Sequence, residues 1–136
     1  MQPQSILHFW FEELTPKQHF AKDAALDETI RTRFGDTLEA AARCELFAWR
    51  ATPEGRLAEI IVLDQFSRNV YRDTPRAFAQ DALALVLAQE LVASGQDRSL
   101  PAAQRALPTC PTCTASPRWC MRRQWRCFRS RAWRTT

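Results

Sequence analysis

The chain has 136 residues, 46% of them hydrophobic and 25% charged, with a formal net charge of +4. That composition describes one globular domain with enough apolar content for a core. No apolar run approaches the roughly 20 residues that span a bilayer, and Glu12-Glu13 interrupt the first apolar stretch before it resembles a signal peptide, so a soluble cytoplasmic protein is expected and a membrane partner is not.

In chain order, Ile6, Leu7, Phe9, Trp10 and Phe11 predict a short apolar helix that stops at Glu12-Glu13. Thr15-Pro16 pairs a capping hydroxyl with a first-turn proline and predicts a second start. Leu26, Ile30 and Phe34 share one helical face behind a cap at Asp23 or Asp27. Gly35-Asp36-Thr37 is expected to reset the chain before a further helix from Leu38 to Trp49. Thr52-Pro53-Glu54 repeats the capping device ahead of Leu57, Ile60, Ile61 and Asp64, which recur at helical spacing. Thr74-Pro75 repeats it again and opens what should be the longest helix, to about Ser94, with Gly95 as a left-handed cap. Pro101 begins one more short helix. No stretch of residues 1–107 alternates with period two, so strands are not expected. The predicted class is all-α, with helices on short connections forming antiparallel pairs.

The chemistry concentrates in Leu63-Asp64-Gln65-Phe66-Ser67-Arg68-Asn69 and its continuation to Asp81. Asp64 falls on the apolar stripe of its helix, and Arg68 lies four residues on, where acid and base meet. A buried carboxylate must be paired or it costs several kcal/mol. Asp81 sits on a second apolar stripe with Phe78, Ala82 and Leu85, so two packed helices would let Asp64 and Asp81 share Arg68. Asn69, Arg72 and Arg76 follow beside them. The expected polar cluster is Asp64, Gln65, Arg68, Asn69, Arg72 and Asp81. Its simplest role is a salt-bridge network locking the turn between two helices. Its second is a ligand site, because Arg and Asn bind carboxylate or phosphate. Acid–base catalysis by the paired carboxylates is the third, without a nucleophile or metal-ligand spacing to accompany it. Elsewhere His8 reads as a satisfied interface histidine and His19 as solvated. Cys44 reads as a packing thiol on a helix, and Trp10 and Trp49 as core. Three glycines leave no material for a phosphate-cradling loop.

Beyond residue 107 the composition changes abruptly. Residues 1–107 hold 12 Lys and Arg against 15 Asp and Glu, a net −3, whereas residues 108–136 hold seven Arg, no Lys and no acid. Cys110, Cys113, Cys120 and Cys127 lie there with Trp119, Trp125 and Trp133. The six-residue gaps after Cys113 and Cys120 fit no common zinc pattern. A disulfide framework conflicts with a cytoplasmic chain. Arg interleaved with Trp is a nucleic-acid pattern, yet the reading preferred here is translation out of frame, with no metal and no nucleic-acid partner. Permitted codons for Thr109–Ser116, read from the third base, encode Leu-Pro-Tyr-Met-His-Ser-Glu, and Trp119 before Cys120 then forces a valine. The expected organisation is a helical domain over 1–107 and an aberrant, disordered tail over 108–136, leaving the fold truncated.

Ile6-Leu7-His8-Phe9-Trp10-Phe11, Thr52-Pro53-Glu54-Gly55-Arg56-Leu57-Ala58 and the Asp64-Gln65-Phe66-Ser67-Arg68-Asn69 block carry a family resemblance. Arg72, Ala77-Phe78-Ala79 with Asp81, and Gly95 with Asp97 extend it. The chain resembles a bacterial family, domain-of-unknown-function family 924. The resemblance implies a tetratricopeptide-like helical fold and a later Leu-Pro-x-x-His-Ser-Glu motif, absent from the given frame. Fold alone assigns no reaction. The expected function is a helical interaction or ligand-binding module for a protein or small anionic ligand, needing no cofactor. The alternatives are an enzyme built on Asp64, Arg68, Asn69 and the absent motif, or a nonfunctional frameshifted product.

Overall fold

The structure is a computed structural model that describes residues 1–15, 17–19 and 22–105. The start expected at Thr15-Pro16 falls partly outside these residues. The cysteines, tryptophans and proposed frame change beyond residue 107 fall wholly outside them. Every regular element among the described residues is helical.

Helix α1, Pro3–His8, starts on its proline and runs into a π-helical turn, Phe9–Glu13, closed by the Leu14 N–H on the Phe9 carbonyl at 3.2 Å. Ile6, Leu7, Phe9 and Trp10 are buried. Asp23, not Asp27, caps α2 (Ala24–Ala42), its Oδ1 accepting from the N–H groups of Ala25 and Leu26 at 3.0 and 3.2 Å. The helix runs straight through Gly35-Asp36-Thr37, against expectation. A lone glycine costs a helix only about 1 kcal/mol, and Phe34 and Leu38 on either side are both buried. Nothing lies within 4 Å of the position a Gly35 Cβ would take.

Nor does a helix continue to Trp49. The chain leaves α2 through Cys44, held at φ +60°, with Glu45 N–H bonded to the Ala40 carbonyl at 2.9 Å and Cys44 N–H to that of Ala41 at 3.0 Å. This is the paired-bond terminus that favours glycine at the left-handed residue. Cys44 is therefore exposed rather than packed. A 3-10 turn, Phe47–Ala51, leads to Thr52, whose Oγ1 accepts from Gly55 N–H at 3.0 Å and caps α3 (Pro53–Ile61). Gly55 is required here: a Cβ would stand 1.9 Å from the Trp49 carbonyl oxygen.

Helix α3 packs against α1 and the Phe47–Ala51 turn, and Leu57, Ala58, Ile60 and Ile61 are fully buried. It passes into a second π-helical turn, Val62–Phe66, in which all five residues are buried. A short helix, α4 (Ser67–Val70), follows. Phe66 contacts Phe34 (centroids 5.1 Å apart), Phe9 (5.9 Å) and Trp10 (6.1 Å), tying α1, α2 and the π turn into one core.

Thr74-Pro75 opens only a 3-10 turn, Pro75–Phe78, and α5 begins at Asp81 and ends at Ala93. Within this turn the Ala77 carbonyl accepts from Arg68 Nη1. The longest helix is α2, with 19 residues against 13 for α5. Gly95 takes the left-handed conformation expected of it, φ +76°, and Pro101 precedes α6 (Ala102–Arg105). Helix α5 lies against α3 and the Val62–Phe66 turn. No helix of the described residues is long and apolar enough to cross a membrane.

Candidate functional site

The corner from Asp64 to Asp81 gathers four of the six expected residues into one network. Asp64 is completely enclosed, its Oδ2 accepting from Gln65 Nε2 at 2.7 Å. Arg68 lies between the acids: Nη2 stands 2.9 Å from Asp81 Oδ1 and 3.0 Å from Oδ2, but 3.5 Å from Asp64 Oδ1. Its Nη1 donates to the Ala77 carbonyl, and its guanidinium covers the Phe78 ring at 4.3 Å. One cation thus joins α5, the 3-10 turn and α4.

Asn69 and Arg72 belong to a second network, which the sequence did not separate from the first. Asn69 Nδ2 donates to Asp27 Oδ1 at 2.8 Å. Arg72 donates through Nε to Oδ2 at 2.7 Å and through Nη2 to Oδ1 at 3.0 Å. Asp27 is therefore not a cap but the anchor by which α2 holds the end of α4. A third bidentate pair, Arg50 to the fully buried Glu59 at 2.9 and 2.8 Å, braces the start of α3.

Burial raises both Asp27 and Asp64, yet their net shifts run in opposite directions. Burial alone would raise Asp27, but the Arg72 and Asn69 hydrogen bonds outweigh it and bring the carboxyl below its ordinary range. At Asp64 burial dominates. Arg68 draws the carboxyl down, Asp81 pushes it up again, and it comes to about 7. Asp81 is also raised, by burial against the pull of Arg68. A carboxyl near 7 has the affinity of a general acid or base. Asp64, however, presents no surface from which to use it.

Beside this corner the surface opens into a cavity of about 320 Å³. Ser67 and Tyr71 line it from the α4 side, and Arg76, Ala79 and Gln80 from the turn into α5. Leu38, Glu39, Ala42 and Arg43 at the α2 end complete it. Ser67 is fully buried and its Oγ has no hydrogen-bond partner. Arg76 stacks on the Tyr71 ring at 4.1 Å. None of these cavity residues was expected as a site. Ser67 stood in the quoted motif, but an unmet hydroxyl is a tertiary property that no spacing displays.

The remaining expectations shift. The His8 side chain is 58% exposed and lies 3.0 Å from Glu12, so it is partnered, as expected, but at the surface. His19 is not solvated: it stacks on Trp10 at 4.3 Å, and its Nε2 lies 2.7 Å from the Trp10 carbonyl oxygen. Trp10 is core and Trp49 half-buried against it. Among the described residues no three His, Cys, Asp or Glu side chains converge as a metal site would require.

Comparison with known proteins adds a family. The sequence matches the model of a bacterial protein family of unknown function, DUF924, over residues 6–129. Among solved structures, a protein of unknown function from Agrobacterium tumefaciens is 38% identical and superimposes with a TM-score of 0.75, covering 80% of this chain and 61% of that one. The present chain therefore spans about three-fifths of that protein's length. The curated proteins give no match.

The carboxyl shifts carry a signed consequence. An acid raised on folding keeps a proton that the unfolded chain has released between about pH 4 and 7. The Asp64 contribution to stability is full below that window and is lost as pH rises through about 7. Asp27, lowered on folding, contributes in the opposite sense. Urea unfolding of the chain and of Asp64→Asn should show the stability difference falling from about pH 4.5 to about pH 7 and levelling above. A difference that does not vary with pH contradicts a protonated, buried Asp64.

Proposed function

The chain belongs to DUF924, the bacterial family of proteins of unknown function, and from that premise we propose that it is a helical ligand-binding module. The observation that carries the reading is the cavity beside the α4–α5 corner. Its volume of about 320 Å³ falls at the lower end of the range in which proteins seat small molecules. The six residues expected to bind are instead engaged internally, Asp64, Gln65, Arg68 and Asp81 with one another and Asn69 and Arg72 with Asp27, so they act as the frame that fixes the cavity walls. Arg68 ties Asp81, next to the lining Gln80, to its own helix, next to the lining Ser67.

An enzyme built on Asp64, Arg68 and Asn69 would need a reacting group within reach of them. Asp64 is enclosed, and Asn69 is bonded to Asp27, which favours a binder. The cytoplasm is the proposed compartment. The segment 108–136 is proposed to be out of frame, supported by its seven arginines and total lack of acids. The family match through residue 129 weighs against that.

Two measurements test these readings. Ala79 is exposed on the cavity wall, so tryptophan there should fill the space from the surface, up to Leu38, the core residue that also lines it. In a thermal-shift screen of charged and neutral metabolites against the full chain, a compound near 100 times its dissociation constant should raise the midpoint by several degrees. The same compound should leave Ala79→Trp unmoved. If no compound of any charge stabilises the chain, or Ala79→Trp responds equally, the binding module is wrong. Sequencing the locus across codons 104–110 should reveal one base gained or lost, and an intact frame removes the tail proposal.

A further inference from the structure

We propose that the cavity beside α4 is an oxyanion site, taking the phosphate or carboxylate group of a small molecule between Arg76 and Ser67; this rests on the ligand-binding reading above. Three arginines point to it by their differences. Both terminal nitrogens of Arg68 are engaged, by Asp64, Asp81 and the Ala77 carbonyl, though its buried Nε has no partner, and Arg72 bonds both oxygens of Asp27. Arg76, on the same corner, has no carboxylate partner among the described residues; its guanidinium lies on Tyr71, 4.1 Å from the ring centroid. Stacking fixes a guanidinium plane and leaves its N–H edge for a planar or tetrahedral oxyanion, which it grips by two parallel hydrogen bonds.

Ser67 supplies the second half. A hydroxyl buried without a partner costs a protein stability, and this one lines the cavity that Arg76 also lines. Ser67 is enclosed in the unliganded chain, so the wall it lines must yield slightly for an anion oxygen to accept its hydrogen bond. Gln80, also in the lining, carries an amide donor. Glu39 also lines the cavity, yet it stands 4.0 Å from Arg43, which is in turn bonded to Glu45 at 2.8 Å. Two acids, Glu39 and Glu45, thus stand against Arg43, while the lining itself holds two arginines against one acid, and Arg76 is its cation with no carboxylate partner among the described residues.

The site has a signature that a chance basic patch lacks. Ser67→Ala removes an unmet polar atom, so it should leave the unliganded chain as stable as before or more so, while weakening the anion. The experiment titrates the full chain with inorganic phosphate, and separately with acetate, at constant ionic strength by calorimetry and thermal unfolding. Phosphate should bind with an affinity that falls about tenfold in Arg76→Gln, a loss of about one charge-assisted bond. Ser67→Ala should fall severalfold, with its phosphate-free midpoint unchanged or raised. Acetate in place of phosphate identifies the carboxylate source. Equal affinity of both anions for wild type and Arg76→Gln overturns the proposal. So does a Ser67→Ala chain that loses stability without phosphate. If neutral compounds alone bind, and Ala79→Trp abolishes them, the oxyanion assignment fails while the ligand-binding reading stands. If nothing binds in the cavity, both fall.

Discussion

The structure turns on Arg68, one guanidinium bonded to the buried Asp64, the half-buried Asp81 and a backbone carbonyl at once. Removing a charge from water costs several kcal/mol per ion unless geometry and hydrogen bonds repay it. Here the repayment is uneven: Asp81 takes both close contacts, and Asp64 is left at 3.5 Å with only the Gln65 amide at full hydrogen-bond distance. Burial raises the Asp64 carboxyl, and the distant Arg68 does not offset it, so Asp64 holds its proton to about 7. The bond to the Ala77 carbonyl reaches the 3-10 turn that precedes α5, after which Ala79 and Gln80 line the cavity.

Polar groups in this molecule therefore divide by whether they are spent. Asp27 with Asn69 and Arg72, and Glu59 with Arg50, consume their hydrogen bonds internally and hold elements in register. Removing one partner from such a pair leaves a buried charge uncompensated, which costs more than the pair contributes. Ser67 and Arg76 are not spent in this way. They sit one and eight residues from Arg68, so the framework that fixes the fold also positions the two groups left over.

Much of the fold was legible. Thr52-Pro53 and Gly95 state their roles locally, since a cap and a left-handed terminus depend on a few neighbouring atoms. The Asp64–Arg68 relation follows from four-residue spacing, and the reach to Asp81 from a second apolar stripe. Gly35 misled because its helix is held by Phe34 and Leu38, whose burial is a tertiary gain larger than glycine's local cost. Cys44 misled in the opposite direction, adopting a conformation its side chain does not favour. The partner of Asn69 and Arg72 lies 42 and 45 residues away, beyond any periodic pattern. The π turns at Phe9–Glu13 and Val62–Phe66 follow neither of the periods by which helices and strands are recognised.

The account stands most directly on the energy that passes between Arg68 and Asp81. A double-mutant cycle with Arg68→Gln and Asp81→Asn, read by urea unfolding near neutral pH, isolates that energy from each residue's other contacts. The two substitutions should be non-additive by about 1–3 kcal/mol, as for groups sharing one buried network. Losses that add to within about 0.5 kcal/mol, the behaviour of independent sites, would mean that this arginine does not hold the corner together.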